Sequence, residues 1–181
     1  MAALVAALLI RATDKSAPYV AAMAERTGRT GAVIAAMLVA LLVTQAVAAV
    51  AGILIAPHLN LHAQRLLVGF ALMSAGFGVV WSGKPIKLRE GCHPAIHVAA
   101  TLIAAGLGDR TQFATMAIAA GGFAGLAGAG GFIGGAAVLG AAALAGERLW
   151  QGLPHRPLSY AIGALLVVAG CWLAVSALRL I

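Results

Sequence analysis

Two stretches of this chain, residues 31–56 and 158–178, contain no charged side chain. Each covers the roughly 20 residues that cross about 30 Å of hydrocarbon. In lipid every backbone N–H and C=O must be satisfied within the protein, so such runs become helices. Nothing alternates at period two between turn signals, which argues against a transmembrane barrel. A third run, residues 121–146, is also uncharged and carries ten glycines. Of the 181 residues, 62% are apolar and 9% charged, with mean hydropathy +1.01; a soluble domain is about a quarter charged. The chain reads as an integral membrane protein with almost no soluble part.

Six apolar segments follow one another with short connectors: residues 1–24, 31–56, 66–82, 94–120, 123–146 and 158–178. The first lacks a basic n-region, and Arg11, Asp14 and Lys15 interrupt its apolar stretch, so it does not read as a signal peptide. The formal charge of +7 would suit nucleic acid, but its distribution points elsewhere. With connectors assigned alternately to the two faces, one face holds Arg26, Arg29, Lys84, Lys87, Arg89, Arg148 and Arg156, and the other only Arg65 and Arg179. The basic face is expected to be cytoplasmic, which puts both termini on the opposite side of the cell's inner membrane. No nucleic-acid partner is expected.

The two halves resemble each other. Asp14-Lys15-Ser16 recurs as Asp109-Arg110-Thr111, and Gly69, Gly76 and Ser82 recur as Gly163, Gly170 and Ser176. Three spans per half is an odd number, so the second half enters the membrane inverted, a common plan of secondary transporters. The expected fold is all-α: six transmembrane helices as two inverted three-helix repeats. Residues 1–82 form the first repeat, 83–93 a cytoplasmic connector and 94–181 the second repeat.

Of five acidic residues, Glu25, Glu90 and Glu147 fall in or beside connectors, leaving Asp14 and Asp109 within apolar segments. An aspartate at the centre of a membrane helix costs about 2.5–3.5 kcal/mol on insertion scales. The structural reading is that each aspartate neutralises its basic neighbours, Arg11 and Lys15 or Arg110. The same costly cluster in both halves points instead to a shared polar site. Its carboxylates, with the neutral oxygens of Ser16, Thr111 and Gln112, suit hard divalent cations. Pro18 has no N–H, so the Asp14 carbonyl loses its helical donor, and Gly106 and Gly108 loosen the second copy.

Ala12-Thr13-Asp14-Lys15-Ser16, and more closely Leu107-Gly108-Asp109-Arg110-Thr111-Gln112, resemble the Glu-x-Gly-Asp-Lys/Arg-Ser/Thr motifs of the Golgi and bacterial manganese/calcium transporters (transmembrane protein 165-like). That resemblance implies cation-for-proton exchange, with the motif acids at the transport site and the connector between repeats cytosolic. The family's glutamate positions are Arg11 and Gly106 here, and Thr13 stands where glycine is expected.

The expected function is therefore exchange of manganese or calcium for protons at Asp14, Asp109, Ser16, Thr111 and Gln112, modulated by Arg11, Lys15 and Arg110. If all three bases face the site, its charge is net +1. That charge would suit a rival cargo, an amino acid or other small carboxylate; a homologue that transports nothing is the other alternative. No enzymatic nucleophile–base set is visible. No tightly bound cofactor is expected, the metal being cargo. The partners are the bilayer, a small inorganic cation and protons, with a homo-oligomer left open.

Other features are weaker. His58/His62 and His93/His97 stand at i,i+4 spacing, which on a helix presents two imidazoles to one metal, with Cys92 a third candidate ligand. Trp81, Trp150 and Trp172 read as interfacial anchors or packing residues. Gly130/Gly134 and Gly131/Gly135 read as surfaces for close helix contact.

Overall fold

A computed structural model describes residues 1–80, 94–152 and 155–178. The connector 83–93, with Cys92 and His93, lies outside the described residues, as do Trp81, Ser82 and Arg179. Eight α-helices run in the order α1 (Ala2–Ala12), α2 (Ser16–Thr27), α3 (Thr30–Ile55), α4 (Leu61–Val80), α5 (Pro94–Gly106), α6 (Arg110–Ile118), α7 (Ala124–Gln151) and α8 (His155–Ala177). No strand occurs among the described residues.

Three stretches, Thr30–His58, Arg110–Trp150 and Pro157–Ala177, are long and apolar enough to cross a membrane; Ala2–Ala12 and Ala95–Gly106 are shorter apolar helices. The exterior agrees with a lipid setting. Leu42, Leu54, Phe77, Leu126, Leu144 and Val168 are all more than half exposed, an apolar surface far beyond what a water-soluble monomer presents. The chain is a multi-pass membrane protein.

The six segments read from the sequence are helical, but two of them are not continuous. The first is broken at Thr13–Lys15 and the fourth at Leu107–Asp109, so each acidic motif lies at a helix break rather than within a helix. The reason is local. Pro18, in the first turn of α2, has no N–H to donate to the Asp14 carbonyl. In the second copy Gly108 takes φ +84°, a left-handed conformation that glycine alone adopts without strain. Asp109 then starts α6 as an extended N-cap.

The stretch Arg110–Trp150 is two helices joined by a reversal. Thr44 meets Gln112 and Gly52 meets Ala119, so α3 and α6 run parallel. Gln45 meets Gly131 and Leu41 meets Gly135, so α3 and α7 run antiparallel. The chain turns between them through a π-helical Ala119–Phe123, with Gly122 at φ +99°.

Packing places α1 and α2 against α7, α5 and α6 against α3, and α4 against α8. Gly130 and Gly134 of α7 lie on the backbone of α1 around Leu4, the close contact expected of that stretch. Between α4 and α8 the approach is closest at two glycine pairs. A Cβ added to Gly69 would lie 2.8 Å from the Gly170 carbonyl oxygen, and one added to Gly76 would lie 2.6 Å from that of Gly163.

Two apolar clusters form the interior. One joins α2, α3, α5 and α7, and the other joins α1, α4, α6 and α8. The broken motifs lie where these clusters adjoin. At one end, α2 and α7 are pinned by charge: Arg26 pairs with Glu147 at 3.4 Å and Arg148 with Glu25 at 3.6 Å.

Candidate functional site

Each break turns an aspartate toward the space between the halves in the same way. Asp14 Oδ1 accepts the Lys15 N–H at 2.8 Å, and Asp109 Oδ1 accepts the Arg110 N–H at 2.7 Å. Those amides open α2 and α6, where unpaired N–H groups and the helix dipole favour a negative charge. The second carboxylate oxygen of each residue is left for other work. Counting residues along two helices cannot decide whether the aspartates meet. The structure decides it, because both Oδ2 atoms face one group.

That group is Arg11. Its Nη1 lies 3.3 Å from Asp14 Oδ2 and 3.5 Å from Asp109 Oδ2. It also donates to Ser16 Oγ at 3.3 Å, and Ser16 Oγ in turn donates to Asp14 Oδ2 at 2.6 Å. Arg11 is only 4% exposed, so an isolated guanidinium here would be costly. The two carboxylates make its burial tolerable.

The other two bases behave differently. Arg110 runs along α4, with Nη1 donating to the Ala75 carbonyl at 3.4 Å and its side chain filling the space over Gly78. Lys15 lines a cleft of about 170 Å³ together with Arg11, Asp14, Ser16, Gly106 and Asp109. The cleft therefore brings two carboxylates together with Arg11 and Lys15, two acids and two bases. The count of +1 with three inward bases does not hold, because the Arg110 head is taken up by the α4 backbone.

The neutral oxygens divide in two. Gln112 braces the second break, accepting the Gly108 N–H at 2.7 Å and donating to the Thr44 carbonyl at 2.9 Å. Thr111 is fully buried, and its Oγ1 has no hydrogen-bond partner among the described residues. Thr13 bonds back to the Ile10 carbonyl at 2.8 Å within its own helix, a common arrangement for such hydroxyls.

Sequence reasoning passed over Gln45. It is 2% exposed, and neither its Oε1 nor its Nε2 has a partner among the described residues. It lies on α3 against Gly131, where Thr115 Oγ1 also points. A signal was available: Thr44 and Gln45 are the polar residues inside the otherwise apolar run 31–56.

The histidine pairs do not form a metal site among the described residues. His58 ends a 3-10 turn and His62 lies in the first turn of α4, with extended Leu59 between them, so the helical i,i+4 geometry is absent. His93 and Cys92 are outside the described residues. No group of three or more His, Cys, Asp or Glu side chains suited to a metal occurs among those described.

A family model described as divalent cation/proton antiporter GDT1 matches residues 94–180. The second half of this chain is GDT1-like. The match supports the manganese/calcium transporter family that the two acidic motifs resemble, and that family is one of transporters, not enzymes. The GDT1-like half carries Asp109, Arg110, Thr111 and Gln112; Arg11 and Asp14 lie before the matched residues. No curated protein and no solved structure matches the chain.

Proposed function

We propose that this protein exchanges a divalent cation, manganese or calcium, for protons across the cell's inner membrane. Asp14 and Asp109 alternate between the cation and the proton. The observation that carries this reading is the convergence of both Oδ2 atoms on one buried positive group. Transporters built of inverted repeats hold substrate and coupling ions beside broken helices where the repeats meet, and both aspartates lie at such breaks. The GDT1-like second half supplies the chemical class of the cargo.

Six spans arranged as two inverted repeats suit this activity, and the glycine contacts support that arrangement. Exchanging Gly69 with Gly163 and Gly76 with Gly170 turns the contact Gly69–Gly170 into Gly163–Gly76, which is the second observed contact. Rocking one half against the other would open the acidic pair alternately to each side. The charge asymmetry of the connectors supports a cytoplasmic place for residues 83–93, with both termini on the opposite side.

A carboxylate cargo loses its support, since the buried guanidinium is already met by two aspartates. The same observation favours a second reading, a self-neutralised cluster that only steadies the fold. Uptake into liposomes separates the two. Purified protein should accumulate Mn²⁺ or Ca²⁺ when protons run the opposite way, and Asp14→Asn should abolish that uptake. Folded protein that moves neither ion under a pH gradient would leave the steadying role.

A further inference from the structure

We propose that Arg11 is a tethered stand-in for the cation, so that its guanidinium and a free divalent ion compete for the same place between Asp14 and Asp109. The inference deepens the transport reading and rests on it for the cargo class, but it concerns binding and stability as well as flux.

Four observations carry it. The position is the point where the two free carboxylate oxygens converge, because each Oδ1 is already held by a backbone amide. The contact is that of a point charge: Asp14, Asp109 and Ser16 are all met by Nη1, while Nε is buried without a hydrogen-bond partner. An arginine that serves only as an ion-pair partner commonly uses its fork in two parallel bonds. A neutral oxygen of the kind a hard cation takes stands at the pair, Ser16 Oγ bonded to Asp14 and in reach of Nη1, and the sequence offers a second in the buried, unpartnered Thr111 Oγ1 two residues after Asp109. Finally, the cleft of about 170 Å³ reaches the cluster itself, with room for an ion that keeps several waters.

Two consequences follow from ordinary electrostatics. A fixed positive charge a few ångströms away weakens divalent binding, so the native chain holds its ion weakly and releases it readily. Removing that charge leaves two facing carboxylates, which destabilise the fold until a cation or proton arrives. Arg11 thereby sets affinity, and exchange includes a step in which the guanidinium withdraws.

The test is thermal unfolding of purified Arg11→Gln in detergent, with EDTA, Mn²⁺, Ca²⁺ or K⁺ at equal ionic strength. Arg11→Gln should unfold at a lower temperature than the native protein in EDTA and recover in millimolar Mn²⁺ or Ca²⁺ but not in K⁺. Its apparent Mn²⁺ affinity should exceed the native one by about tenfold or more. The double variant Arg11→Gln with Asp109→Asn should lose that response. If Arg11→Gln does not fold, Arg11→Lys, whose shorter reach spans the pair less well, should still show a larger Mn²⁺ shift than the native protein.

A divalent response no greater than the native one in these variants overturns the proposal. Native Mn²⁺ uptake alongside that result leaves the transport reading standing. Conversely, Mn²⁺ stabilisation of Arg11→Gln without uptake by any form supports the stand-in and sinks the transport reading.

Discussion

A carboxylate buried in hydrocarbon is tolerated when something positive or a proton meets it, and Arg11 meets two at once. Asp109→Asn leaves that guanidinium with one counter-charge. It should lower stability by roughly 1–3 kcal/mol, read as an earlier unfolding transition in detergent, and should stop cation uptake. Arg110→Ala is the contrasting case. Its head lies on the Ala75 carbonyl, away from the pair, so the KM for Mn²⁺ should stay within about twofold of native, with a stability cost near 1 kcal/mol. A much larger change in KM would place Arg110 in the site. Asp14 and Asp109 were legible in the sequence because an acidic residue in an apolar segment is rare and costly. The directions of Arg11 and Arg110 were not, since a long flexible side chain is aimed by the packing around it. Gln45 was legible in principle, as an amide with no apolar reason to be in its helix.

Among the elements, the broken helices matter most. A break of three residues barely changes the average hydropathy of a span, so the segments 1–24 and 94–120 read as continuous. Pro18 and Gly108 were visible, yet their effect depends on whether neighbouring groups satisfy the freed backbone. In the second copy Gln112 does this from α6 by accepting the Gly108 N–H, and it is itself held by the Thr44 carbonyl of α3, a contact between distant parts of the chain that no spacing rule supplies. The glycine pairs of α4 and α8 give a test at this scale. Gly76→Ala drives a methyl into the Gly163 carbonyl and Val167, and should cost about 1–3 kcal/mol in unfolding experiments. Gly140, within α7, has nothing within 4 Å of an added Cβ. Gly140→Ala should be neutral or stabilise the helix by up to about 1 kcal/mol. Equal costs for the two substitutions would contradict the packing described.

For the whole molecule, membrane residence followed directly from composition, because so few charges leave no water-soluble arrangement. Orientation rests on where the bases fall, and it is open to direct labelling. In a background with Cys92 and Cys171 replaced, Arg29→Cys should react with an impermeant maleimide from the cytoplasmic face only. His58→Cys should react from the opposite face only; both positions are exposed. Labelling of both from one side would undo the alternating assignment of connectors. The proposed exchange depends on the two halves sharing a single site, and the measurement closest to that claim follows both ions together. In liposomes carrying a Mn²⁺-sensitive and a pH-sensitive dye, the native protein should bring Mn²⁺ in as protons leave. Asp14→Asn and Asp109→Asn should each abolish both signals while remaining folded. Native-rate exchange by either variant, or Mn²⁺ entry without proton movement, would contradict the shared site.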